Sequence, residues 1–159
     1  MLRVVLDTNV FVSSLLVKAG LPAQILDAWR SRRYVLVTSL DIIAEMRATL
    51  SYPRIRRKYG VTDEDVEALT VLLQHDALIV PGEADTAGAI PADPTDEKIL
   101  ACALDGRADL VVSGNLHLLD LVQYQGIPIL NARQFLERLA AEEGNHERRY
   151  TGPHRPESV

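Results

Sequence analysis

A chain of 159 residues is long enough for one domain with a single well-filled core, and its 47% hydrophobic and 25% charged residues are those of an ordinary globular protein. No apolar run approaches the ~20 residues that cross a bilayer, and MLRVVLDTNV at the start lacks the apolar centre and cleavage site of a secretory leader. A net charge of −5 argues against indiscriminate coating of nucleic acid, one cysteine excludes a disulfide framework and fits a reducing cytoplasm, and four scattered histidines with no pair at ligand spacing argue against zinc.

Leu2–Leu6 reads as a buried strand that runs straight into Asp7, Thr8 and Asn9, with no glycine to turn the chain. Helical periodicity follows over Phe11–Leu16 and Ala23–Arg30, with Pro22 suited to a first helical turn. Tyr34–Val37 is a second strand ending in Thr38-Ser39, and Leu40–Leu50 a helix closed at Tyr52-Pro53. Glu64–Gln74 is helical, with Asp63 placed to cap it, and Ala77–Val80 is a third strand. PGEADTAGAIPADP, with three prolines from Pro81 to Pro94, is a loop. Glu97–Leu104, Leu116–Tyr124 and Arg133–Ala141 are expected helices, and Leu110–Val112 and Ile127–Leu130 the last strands. After Gly144 the periodicity is lost, so composition divides the chain into a folded part, 1–143, and a flexible tail, 144–159. Strands alternating with helices imply an α/β fold: a central parallel sheet of about five strands with helices on both faces, without repeats or a second domain.

In such sheets ligands bind beyond the carboxyl ends of the strands. Asp7 stands at the first of these ends, where an unpaired carboxylate is costly. Glu45 lies beside the apolar stripe Ile42, Ile43 and Met46, and by itself reads as a solvated side chain before it reads as a ligand. Asp93 and Asp96 stand at the mouth of the helix that begins at Glu97, where the helix dipole alone would explain Asp96. Acids converging on one sheet edge repel unless a cation lies between them. Oxygen-only ligands without His or Cys favour Mg2+ or Mn2+, ions that promote hydrolysis of phosphodiesters.

Ten of the 17 Lys and Arg residues fall in the first sixty positions. Arg54, Arg56, Arg57 and Lys58 could form a basic lip for a phosphate backbone, or simply a solvated helix face. Lys98 could meet a phosphate, with a plain surface lysine as the default. Trp29 and Tyr34 could stack on a base or pack in the core, and Cys102 reads as a small buried thiol.

The stretches VVLDTNVFVSSLL, TSLDIIAEMRATL, DPTDEKILACALDGRADLVVSGNLHLLDL and GIPILNARQFLE, in that order, resemble the PIN-domain ribonucleases, in particular the bacterial toxin components of toxin–antitoxin systems. The resemblance covers roughly Met1 to Ala141. It implies a three-layer PIN-like sandwich and a Mg2+- or Mn2+-dependent endoribonuclease, cytoplasmic and free of any membrane. It also implies an RNA substrate, a homodimer and a small antitoxin partner. It maps the acidic catalytic and metal-binding positions onto Asp7, Glu45 and Asp96, with Asn9 and Ser113 in support. The family's Ser/Thr-Gly-Asp motif reads Ser113-Gly114-Asn115 here. Asn115 can offer an amide oxygen to a metal or its water, but the lost charge weakens divalent binding, which Asp93 could partly offset. Asp120 reads as solvated. The same departure supports a second reading, a PIN-fold RNA-binding or regulatory module with weakened or lost catalysis. A receiver domain would need an aspartate in ALIVPG, and a dehalogenase-type phosphatase a second acid in DTN. A nucleotide-binding Rossmann fold would need glycines in DTNVFVSS.

Overall fold

The computed structural model describes residues 1–150, of which 145–150 are described by their backbone alone. Four parallel strands form the centre of a six-stranded sheet: β1 (Arg3–Leu6), β2 (Val35–Thr38), β4 (Leu110–Val112) and β6 (Ile127–Leu130). β3 (Leu78–Ile79) extends it in parallel beyond β2, and β5 (Gln123–Tyr124) closes the other edge antiparallel to β6. The order is β3-β2-β1-β4-β6-β5. Val4, Val5, Leu6, Leu36, Val37, Leu110, Val111 and Val112 are all at most 1% exposed, so β1, β2 and β4 are covered on both faces. This is why their sequences run apolar without alternation.

The helices are α1 (Thr8–Leu16), α2 (Leu21–Arg30), α3 (Leu40–Leu50), α4 (Pro53–Tyr59), α5 (Asp63–Asp76), α6 (Glu97–Asp105), α7 (Leu116–Leu119) and α8 (Ala132–Tyr150). α6 packs on β1, β2 and β4, and α8 packs on α2 and β6. Tyr34 meets Phe135 edge-on at 5.1 Å and its hydroxyl donates to Ile25 O at 2.8 Å, so Tyr34 belongs to the core. Trp29, 6% exposed, lies there too. Among the described helices, none is long and apolar enough to cross a membrane by itself.

Four expected features differ. The helix expected over Leu116–Tyr124 stops at Leu119, and the chain instead makes a β5–β6 hairpin in which Tyr124 pairs with Ile127. The two residues between, Gln125 and Gly126, have φ of 48° and 84°, the paired positive values that let a two-residue turn follow the twist of the strands. RIRRK forms a separate short helix, α4, begun by Pro53 at its first turn and ended by Gly60 at φ 67°. Thr62, rather than Asp63, caps α5, exchanging hydrogen bonds of 3.1 Å with Asp65 in a capping box. α8 runs across Gly144 to Tyr150, past the boundary suggested by composition, and the rest of that segment, 151–159, lies outside the described residues.

Candidate active site

Register assembles the site. Leu6 pairs with Val112, so Asp7 and Ser113 are the next residues on adjacent parallel strands. From β1 the chain moves outward through β2 and β3, then returns to place β4 on the other side of β1. The connections after β1 and β4 therefore leave in opposite directions and open a crevice at their carboxyl ends. Asp7, 3% exposed, lies at that point, and Ser113 Oγ donates to its Oδ2 at 2.7 Å. Burial pushes the Asp7 carboxyl above its ordinary range. The Ser113 bond and the backbone amides of Thr8 and Asn9 oppose that rise, and the charge of Glu45 adds to it.

Glu45 is delivered by α3, whose N-cap Ser39 accepts from Ile42 N at 3.3 Å. Its carboxylate is paired with the ammonium of Lys98, in the first turn of α6. Asp96 ends the short 3-10 turn Pro94–Asp96 that leads into α6. The preceding loop is fastened by Glu97, whose carboxylate accepts from Ile90 N at 3.1 Å and whose carbonyl accepts from Thr86 Oγ1 at 3.2 Å. The Asp96 carboxyl is pushed up to about 6, first by desolvation, then by the charges of Asp7, Asp93 and Glu45. The charge of Glu45, from α3, thus reaches both Asp7 and Asp96, and that of Asp7 reaches Asp96.

Asn115 caps α7. Its Oδ1 accepts from His117 N at 2.8 Å, which fixes the amide so that Nδ2 donates to Asp96 Oδ2 at 2.6 Å. Its own backbone N–H donates to Ser113 Oγ at 2.9 Å. The side chain therefore turns a donor, not an oxygen, toward Asp96. Asn9 is exposed beside Asp7, Asp120 is exposed, and Asp93 accepts from Thr95 Oγ1 at 2.5 Å. Arg56 spends its guanidinium on Leu50 O at 2.7 Å and on Asp63 at 2.5 Å, whereas Arg54, Arg57 and Lys58 are exposed on α4.

The donor set suits a divalent cation. Asp7, Glu45 and Asp96 supply three carboxylates against the single ammonium of Lys98. Among the described residues, two buried hydroxyls, Thr8 Oγ1 at the start of α1 and Thr38 Oγ1 at the end of β2, have no protein partner. Hard oxygen ligands around uncompensated negative charge are what Mg2+ or Mn2+ requires. Two larger cavities, of about 360 and 630 Å³, lie at the start of the strands beside Met1, Tyr34 and Leu2, away from these acids. Charge rather than volume marks the site.

Four residues near these acids escape a reading of the sequence. Lys98 reads as a surface residue because its partner is 53 positions away. Thr8 and Thr38 carry no signal beyond their places at strand ends. His117 lies with Asp93 and Asp96 in a group whose ligand atoms are all within 4.8 Å of one another. Its signal was its place two residues past Asn115, in the same turn.

A parallel-sheet sandwich with acids gathered at its switch point defines the class of protein. The chain belongs to the PIN-domain family, whose model, described as PIN domain, matches residues 3–117. It is 29% identical over 120 residues to an uncharacterised protein of Methanocaldococcus jannaschii, covering 76% of this chain and 75% of that protein. Its fold is similar to a chain in the crystal structure of VapBC2 from Rickettsia felis bound to a DNA fragment from their promoter. The TM-score is 0.56 at 16% identity, over 81% of this chain and 98% of the other.

Proposed function

We propose that this protein is a metal-dependent endoribonuclease and the toxin component of a toxin–antitoxin pair. The observation that carries this reading is the chain of hydrogen bonds that joins Asp7 through Ser113 and Asn115 to Asp96 at the carboxyl end of a PIN-domain sheet. Asp7, Glu45 and Asp96 would hold Mg2+ or Mn2+, with Asp93 beside them. Bound there, such an ion supplies Lewis acidity to a phosphoryl oxygen and acidity to its own water. Ser113 fixes Asp7 in one orientation through its hydroxyl, and Asn115 does the same for Asp96 through its amide. Without an ion, the Asp96 carboxyl lies near 6, so a proton and a cation compete for it close to neutral pH. Arg54, Arg57 and Lys58 are free to meet an RNA backbone, and the salt slope of RNA binding should fall when they are removed.

An antitoxin partner is supported by the VapBC2 complex among the structural neighbours, and a cytoplasmic location by the single buried cysteine. A homodimer follows from the resemblance to the toxin family. The test is cleavage of a mixed set of single-stranded and structured RNAs with Mn2+, with Mg2+ and with chelator, by the protein and by Asp7→Asn. Metal-dependent cleavage abolished by Asp7→Asn supports the reading, and cleavage that persists in that variant removes it.

One observation favours the non-catalytic alternative. Asn115 directs its amide N–H rather than its oxygen to Asp96, so it adds no ligand from that atom. A protein that binds RNA without cutting it, both as written and as Asn115→Asp, would be a binding or regulatory module.

A further inference from the structure

We propose that His117 is a metal ligand particular to this chain, forming with Asp93 and Asp96 a mixed nitrogen–oxygen site that takes Mn2+ in preference to Mg2+. This rests on the metal-dependent reading above and deepens it. The ligand atoms of Asp93, Asp96 and His117 lie within 4.8 Å of one another. Ligands on opposite sides of one ion, each ~2.1 Å from it, stand about 4.2 Å apart, so atoms within 4.8 Å of one another close onto a shared ion with a small movement of these side chains.

The imidazole is brought there by the same residue that departs from the family motif. Asn115 accepts from the backbone N–H of His117 and donates to the carboxylate of Asp96, so one side chain fixes the base of α7 against the mouth of α6. Asp93 is oriented separately, by the Thr95 hydroxyl and by the turn in which Asp96 N donates to Asp93 O at 3.1 Å. Position 115 thus contributes no charge, yet its cap delivers a nitrogen donor to the same carboxylate. His117 is exposed, which leaves its ring free to turn toward an ion.

The identity of the donor sets the preference. Mg2+ demands oxygen ligands and sheds water reluctantly, whereas imidazole suits later transition ions. Replacing an oxygen donor by a nitrogen therefore weakens Mg2+ relative to Mn2+.

The experiment is a titration of Mn2+ into the full chain and into His117→Ala, followed by electron paramagnetic resonance, with Mg2+ affinity measured by competition. A directly bound imidazole gives nitrogen modulation of the Mn2+ spin echo. We expect that modulation in the parent protein and its loss in His117→Ala. The same variant should weaken Mn2+ by about tenfold or more, since even outer partners of a metal site cost that much. Mg2+ affinity should change by less than about twofold. Mn2+ bound without nitrogen modulation, or modulation that survives His117→Ala, overturns the assignment while leaving the carboxylate site intact. Failure of the parent protein to bind Mn2+ at all overturns both.

Discussion

Asn115→Asp isolates what the amide at this position does. The change keeps an oxygen to cap α7 but replaces the donor 2.6 Å from Asp96 Oδ2 with a second carboxylate oxygen. A hydrogen bond from a neutral donor to a charged acceptor contributes about 1.5–3 kcal/mol. Two carboxylates about 4 Å apart repel by about 4 kcal/mol at an effective dielectric near 20. Both residues are partly exposed, so solvent removes much of the second quantity. The remainder is a destabilisation of roughly 2–4 kcal/mol in chelator, or a fall in Tm of roughly 5–15 °C for a chain of this size. Thermal melts at about pH 8 test it, where both acids are ionised. The difference should narrow below about pH 6, as Asp96 takes up its proton. Millimolar Mn2+ should then raise the Tm of the variant more than that of the parent, because the added carboxylate binds the ion in the folded state alone. Equal Tm values in chelator would refute the claim that the amide holds the carboxylates together.

Asp7→Asn should abolish metal-dependent cleavage yet raise Tm in chelator, because the buried charge that burial disfavours is removed while Ser113 keeps an oxygen to bond; a lower Tm would refute this. The raised Asp96 carboxyl means that the folded protein holds a proton more tightly than the unfolded chain. Its contribution to stability is therefore present below the ordinary aspartate value of 3.8 and lost as pH rises through about 6. Divalent affinity, measured by calorimetry, should rise over the same window, with proton release on binding. Gly106→Ala should lower Tm in melts with or without metal, since a Cβ there would overlap Val37 Cγ1, and overpacking of this kind costs about 1–3 kcal/mol.

The sequence is most legible where one local rule decides the outcome. Leu40–Leu50, Leu110–Val112 and Ile127–Leu130 coincide with α3, β4 and β6 because each is an apolar segment bounded by residues that stop it. Asp7 is legible for a similar reason: a carboxylate immediately after Val4, Val5 and Leu6 has no place inside a doubly covered strand. β5 is misread as helix because Leu116 to Leu121 continues an apolar pattern, and only the positive φ of Val122, Gln125 and Gly126 bends the chain into a hairpin. α4 is legible only as a helix face without bounds, because seven residues show too little periodicity; Pro53 and Gly60 mark its two ends. His117 carries no signal as one of four scattered histidines, because the aspartates beside it are supplied by another loop.

The three central carboxylates also differ in what the protein gives them, and the difference orders their roles. Glu45 has a full opposite charge in Lys98, so it can be held without any ion. Asp96 has an amide donor and partial access to solvent, which is why its carboxyl lies near 6 and can follow the pH. Asp7 has only a serine hydroxyl and two backbone amides against nearly complete burial. It is therefore the group with the most to gain from a cation and the least able to let one go. Substitutions at the three should then differ in kind. Loss of Asp7 removes the deepest anchor, and loss of Glu45 frees the Lys98 ammonium beside the site. Loss of the charge at Asp96 should weaken binding of the ion and, with it, remove the dependence on pH near neutrality.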